Sequence, residues 1–154
     1  MSAVFKSVEA GFEPMTEARL GEVVAIERRA YAHPWTRGNF ADSLRSGYRG
    51  QLLCGGEKLL GYFVAMQGVD EVHLLNITVD PDYQGQGWGR IMLDAVALWA
   101  RSQGAHWVWL EVRTSNLRAQ QIYQRFGFRR VGERRNYYPA HLGREDAIVM
   151  SYRL

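Results

Sequence analysis

The stretch LLNITVDPDYQGQGWGR, Leu74 to Arg90, decides the fold. Leu74, Leu75, Ile77 and Val79 suit a buried strand, with β-branched residues at its end. Pro81 cannot donate to a sheet ladder and biases Asp80 away from helix, so the strand stops there. Gly85, Gly87 and Gly89 then alternate with Gln86 and Trp88. Glycines this close let the backbone approach a ligand and turn successive N–H groups toward it. The helix that follows adds its unpaired first-turn N–H groups and the positive end of its dipole. A strand, a glycine loop and a helix start together make an anion site, most naturally for phosphate.

Other glycine motifs fit less well. No Gly-Lys-Ser/Thr is present, which excludes a nucleotide P-loop. The spacing is G-x-G-x-G rather than G-x-G-x-x-G, which argues against a dinucleotide fold. A plain flexible loop is the remaining alternative.

The totals set bounds. A chain of 154 residues, 47% hydrophobic and 23% charged, suits one globular domain with its own core. No apolar run approaches bilayer-spanning length, and no signal-peptide core is visible at the start. Cys54 is the single cysteine, so no internal disulfide is possible and a reducing cytoplasm is expected. A net charge of +3 suits an anionic cofactor without demanding one. Lys6 and Lys58 are the only lysines among nineteen basic residues, and the arginines are scattered. No nucleic-acid-binding signature accompanies them, so no direct nucleic-acid contact is expected.

From the start of the chain, residues 4–12 read as a strand. Thr16 is placed to cap a helix to about Arg29, with Leu20, Val23, Val24 and Ile26 on its apolar positions. Pro34 breaks it, and Thr36 is placed to cap a second helix to about Leu44. Residues 51–54 and 59–66 read as a hairpin, followed by the strand 72–79. A helix over 88–102, a strand over 107–113, a helix over 116–126 and strands over 128–138 and 146–152 complete the order β-α-α-β-β-β-α-β-α-β-β. This predicts one α/β (α+β) domain over 1–154 with a mixed, mostly antiparallel sheet.

Gln84-x-x-Gly87-x-Gly89 after Val79-Asp80-Pro81 resembles the acyl-CoA pyrophosphate loop of the GCN5-related N-acetyltransferases. The element order resembles that family along almost the whole chain. Within it, Asn76-Ile77-x-Val79-Asp80-Pro81, Leu110–Arg113, Ser115-Asn116-x-x-Ala119 and Tyr123-x-x-Phe126-Gly127-Phe128 resemble the bacterial ribosomal-protein alanine N-acetyltransferases. The most specific piece is Arg134-Arg135-Asn136-Tyr137-Tyr138-Pro139 with Arg144-Glu145-Asp146-Ala147.

Acetyl transfer to an amine needs a base, a donor for the carbonyl oxygen and an acid for the departing thiolate. Glu111 stands out on the apolar strand 107–113 and is the candidate base. Its alternatives are an ion pair with Arg113 or an exposed strand end. Tyr123 is the candidate acid, two helical turns beyond Asn116, and the alternative is a core tyrosine. The resemblance implies that Tyr123 protonates the thiolate of CoA and that Asn116 hydrogen-bonds the pantetheine arm. It also implies that Ile77, Thr78 and Val79 offer backbone groups to that arm, the Val79 N–H polarising the thioester carbonyl. The loop from Gly85 through Gln86, Gly87, Trp88 and Gly89 to Arg90 then holds the pyrophosphate. Two positions depart from the family: Gly85 where a basic residue is common, and Trp88 where an aliphatic one is usual.

Trp35, Asn76, Tyr137 and Tyr138 are candidates to line a groove for an extended acceptor peptide. Packing of Trp35 in the core and an exposed hairpin edge at the tyrosines are the plainer readings. His33, His73, His106 and His141 lack metal-ligand spacing, so no metal is expected. The resemblance implies an acetyl-CoA-dependent enzyme acting on a protein N-terminus, the alanine of a small-subunit ribosomal protein, by direct attack in a ternary complex. A monomer in the cytoplasm is expected. No membrane association is expected. Another peptide N-terminus, a small amine, or a non-catalytic acyl-CoA sensor are the alternatives.

Overall fold

The computed structural model describes residues 9–154. Of the strand expected over 4–12, the first five positions lie outside the described residues, and the strand seen is β1, Ala10–Pro14. It is followed by α1 (Leu20–Ala30), α2 (Arg37–Arg45), β2 (Arg49–Gly55), β3 (Lys58–Gln67) and β4 (Glu71–Val79). Then come α3 (Trp88–Ser102), β5 (Trp107–Arg113), α4 (Leu117–Phe126), β6 (Arg129–Ala140) and β7 (Gly143–Arg153). The order is the expected one. The strands form one seven-stranded sheet in the order β1-β2-β3-β4-β5-β7-β6. β4 and β5 run parallel, whereas β1/β2, β2/β3, β5/β7 and β6/β7 are antiparallel.

The chain divides into two compact units, one running to Ala65 and including Asn76–Met92, the other comprising Met66–Leu75 and Leu93–Leu154. In the first, Leu20, Val23, Phe40, Leu52, Leu60, Tyr62 and Phe63 are buried together with Met92. Gly61 is glycine for reasons of space. A Cβ there would lie 2.5 Å from the Thr78 carbonyl oxygen and 3.0 Å from Met92 Cε, so β3 can run close under the end of β4. In the second unit, Val72, Leu74, Val96, Val108, Leu110, Ile148 and Met150 form the core.

Local signals account for most boundaries. Thr36 accepts from the Asn39 N–H while Asn39 reaches back to the Thr36 N–H, a complete capping box for α2. Thr16 does not cap α1 as expected. Its carbonyl accepts from the Arg19 N–H in a 3-10 turn, its side chain makes no capping bond, and α1 starts at Leu20. Asn116 is not the first residue of α4 but its N-cap, with its side-chain oxygen 3.2 Å from the Ala119 nitrogen. The last two strands run further than expected and meet in a hairpin. β6 accepts Pro139 because it is the sheet's edge strand.

Candidate active site

The first unit carries the glycine loop. β4 ends at Val79, and Asp80 turns the chain, its carboxylate accepting from the Asp82 N–H and from Arg29 at 2.7 Å. Gln84 Nε2 donates to the Val79 carbonyl at 3.2 Å, tying the loop back to the strand. Gly85 and Gly87 hold φ of +77° and +90°, and both are exposed. These left-handed positions are where glycine is needed, and a basic side chain at 85 would be strained. Gly87 accepts the first helical bond, from Ile91 at 3.2 Å. Gly89 lies inside α3 and needs no special backbone. Trp88 is half-buried, its indole N–H donating to the Gln86 side chain at 3.3 Å. Arg90 is exposed on the same first turn. Open backbone at a helix start fits a pyrophosphate, so the residues present suit an acyl-CoA.

Behind the loop, β4 carries Asn76, Ile77 and Thr78. Thr78 is buried, its hydroxyl donating to Asn76 Oδ1 at 2.8 Å. Tyr31 lies 2.8 Å from the same hydroxyl and donates to the Ile77 carbonyl at 3.2 Å. Trp35 is half-buried with its ring 5.1 Å from that of Phe40, so part of it does pack on the core. Asn76 and Trp35 are brought together by Glu27, a residue the sequence reading passed over. Glu27 accepts from Asn76 Nδ2 at 3.2 Å and from the Trp35 N–H at 2.9 Å. Its position was legible, because 27 falls on the same helical face as Leu20, Val23 and Val24.

The second unit carries Glu111. Its side chain is 6% exposed, as expected of a carboxylate on that strand, but its partner is not Arg113. Arg134 Nε lies 2.9 Å from Oε2, and His73 Nε2 lies 2.6 Å from Oε1. His73 stacks on Trp109 with ring centroids 3.6 Å apart, while Arg134 lies over Trp109 and Tyr137. Tyr137 and Tyr138 meet edge to face at 4.9 Å. Burial first, and then the Glu111 charge, push both hydroxyls up from the ordinary phenol value. Both therefore stay neutral hydrogen-bonding groups at physiological pH. Tyr123 sits half-buried on α4, its ring 5.7 Å from Phe128.

The motif around these tyrosines turns out to be a bulge. Arg134 pairs with Ala147 and Tyr138 with Glu145, so β6 has three residues where β7 has one. Asn136 is left-handed at φ +52°. Its N–H is taken by Asp146 at 2.9 Å, its carbonyl by Arg144 Nε at 2.9 Å, and the Tyr137 carbonyl by Arg144 Nη2 at 2.8 Å. The Arg144–Asp146 segment thus clamps the bulge that aims Arg134, Tyr137 and Tyr138.

Glu145 clamps the other side, accepting from Arg113 at 3.1 Å, the Thr114 hydroxyl at 3.2 Å and the Ser115 N–H at 2.8 Å. Ser115, with help from Arg113 and Thr114, holds the carboxyl at about 2, below the ordinary value near 4.5. A depressed folded-state pKa stabilises the fold above the unfolded value and is lost as pH falls. The stability gap between the wild type and Glu145→Gln is therefore expected to be full above about pH 4.5 and to close toward about pH 2. Thermal melts at stepped pH measure it, and a gap independent of pH would refute the clamp.

Among the described residues, no group of three or more His, Cys, Asp or Glu side chains is placed to hold a metal. No helix there is long and apolar enough to cross a membrane. Burial pushes the Cys54 thiol up, away from a nucleophile's range.

A mixed seven-stranded sheet with a glycine loop between β4 and α3 is an acetyltransferase architecture. The acetyltransferase (GNAT) family model matches residues 20–128, and the chain belongs to that family. It is 42% identical over 126 residues, 82% of this chain and 85% of the relative, to the [ribosomal protein bS18]-alanine N-acetyltransferase of Escherichia coli strain K12. The enzyme of that name from Haemophilus ducreyi is 32% identical over 140 residues, 90% of this chain and 97% of the relative. The crystal structure of the ribosomal-protein-S18-alanine N-acetyltransferase from Escherichia coli superposes with a TM-score of 0.86 at 37% identity, covering 94% of each chain.

Proposed function

We propose that this protein transfers the acetyl group of acetyl-CoA to a protein N-terminal α-amine, that of the alanine that begins ribosomal protein bS18. The observation that carries this reading is the likeness to bS18-alanine N-acetyltransferases over 82% of the chain. The family match spans segments of both compact units, which supports treating residues 1–154 as one functional domain. The proposal has that domain work as a monomer in the cytoplasm.

Acetyl-CoA supplies the acyl group as a thioester. The loop from Gly85 to Arg90 binds its pyrophosphate, and Asn116 the pantetheine arm. Asn116 uses its oxygen as the α4 cap, which leaves its amide N–H groups for that arm. The strand end Ile77–Val79 offers backbone groups, with the Val79 N–H donating to the thioester oxygen as it gains charge. Glu111 takes the proton of the attacking amine, through water, and Tyr123 gives one to the departing thiolate. Trp35, Asn76, Tyr137 and Tyr138 hold the acceptor peptide. A carboxylate base suits an α-amine, which titrates near ~8, better than a lysine near ~10.4.

The test is a turnover assay with acetyl-CoA against Ala-, Ser- and Met-initiated peptides, free lysine and a polyamine. Highest kcat/KM is expected for the Ala-initiated peptide. Preference for a side-chain amine would defeat the reading, and CoA binding with no turnover on any acceptor would make the protein a sensor.

A further inference from the structure

Glu27 is among the most deeply buried side chains of the described chain, 2% exposed, and among the described residues its hydrogen bonds come from neutral donors. Oε1 accepts from the Tyr62 hydroxyl at 2.7 Å and from Asn76 Nδ2 at 3.2 Å, and Oε2 from the Trp35 N–H at 2.9 Å. A carboxylate buried without a cation is costly, and three hydrogen bonds are what keep it there. Burial first, and then the Glu27 charge and hydrogen bond, push the Tyr62 hydroxyl up, which keeps it a donor.

The direction of every bond beyond Glu27 follows from its charge. An ionised carboxylate only accepts, so Asn76 must turn its NH2 toward it. Asn76 Oδ1 is then left to accept, and the Thr78 hydroxyl gives its proton there at 2.8 Å. That hydroxyl has no second proton, so Tyr31 is the donor along their 2.8 Å contact, its one proton shared between Thr78 Oγ1 and the Ile77 carbonyl at 3.2 Å. One charge on α1 thus orders Asn76 and Thr78 on β4 and Tyr31 at the end of α1, and through its other oxygen fixes the backbone at Trp35.

We propose that Glu27 is a positioning residue for acceptor recognition: its charge sets the orientation of the Asn76 amide and locks the Trp35 segment between α1 and α2, so that both meet the incoming peptide in one arrangement. This rests on the reading of Trp35 and Asn76 as acceptor-binding residues given above.

Glu27→Gln keeps the shape but has a single acceptor oxygen and no charge, so either the Asn76 amide or the Trp35 N–H must face its NH2, a donor facing a donor. It is expected to raise the KM for an Ala-initiated peptide by about tenfold, the loss of one charge-assisted hydrogen bond. The KM for acetyl-CoA should stay within about twofold, since the glycine loop is untouched. Because Glu27 acts partly through Asn76 and partly through Trp35, the pair Glu27→Gln/Asn76→Ala should raise the peptide KM by less than the product of the two single effects. Tyr62→Phe removes a donor from Glu27 without touching Asn76 or Trp35, so it should cost stability and spare the peptide KM. A peptide KM unmoved in folded Glu27→Gln would overturn the proposal. So would multiplicative effects in the double variant, or Tyr62→Phe raising the peptide KM as much. The Asn76 side-chain amide protons, followed by NMR, give a readout that needs no turnover. They are expected to exchange slowly in the wild type and fast in Glu27→Gln. Identical exchange overturns the proposal even if the acceptor proves to be another molecule. Slowed exchange in a protein that acetylates no peptide would leave the Glu27 network standing and remove the proposed acceptor.

Discussion

Glu111→Gln is expected to lower kcat on the preferred peptide by at least about tenfold, because proton removal by a placed base contributes roughly 10²–10⁴-fold. The substitution is gentle on the structure. Glutamine can keep its oxygen toward Arg134 Nε, now 2.9 Å from the carboxylate. Its NH2 then faces His73 Nε2, now 2.6 Å from the other oxygen, and a neutral imidazole with its proton on Nδ1 accepts that bond. Folding and acetyl-CoA affinity should therefore survive, and the loss should fall on the chemical step. Tyr123→Phe should lower kcat to a similar degree. The two differ in their pH profiles: Glu111→Gln alters the acid limb of kcat/KM, leaving the amine's own ionisation, whereas Tyr123→Phe removes the alkaline fall. Pre-steady-state rates across pH make the comparison. A fully active Glu111→Gln would reduce Glu111 to an anchor for Arg134 and His73.

Gly87→Val should weaken acetyl-CoA binding roughly 5- to 150-fold. The residue sits at φ +90°, and a Cβ there meets nothing within 4 Å. The fold therefore has room for the side chain, but a β-branched residue resists that backbone, at a cost of ~1–3 kcal/mol. The loop relaxes to negative φ and its N–H groups turn away, and binding must restore them at that cost, which converts to the stated range. Isothermal titration reads the effect, with a thermal melt to show an intact fold. An unchanged Kd would mean that the pyrophosphate is held elsewhere.

What the sequence disclosed was mostly local. The β4–loop–α3 passage was readable because Pro81 and three closely spaced glycines act on their own neighbours. The α2 cap was readable for the same reason, since Thr36 and Asn39 lie one turn apart. Thr16 misled because a 3-10 turn intervenes before α1, and capping chemistry alone does not distinguish the two helix types. Burial of Glu111 followed from its apolar strand, but its partners did not. His73 lies 38 positions away on β4, and Arg134 is aimed by a bulge with no period-two signature. The Arg134–Pro139 and Arg144–Ala147 pieces were recognisable by resemblance. Their physical role, one segment clamping the backbone of the other, needed the register of β6 against β7.

Transfer to an α-amine rather than to a side chain is decided by where the acetyl group lands on an acceptor that offers both. A peptide that begins with alanine and carries one internal lysine is incubated with the protein and acetyl-CoA, then fragmented by tandem mass spectrometry. An acetyl group is expected on the N-terminal alanine, with the lysine unmodified until that site is filled. Acetyl on the lysine while the α-amine remains free would contradict it.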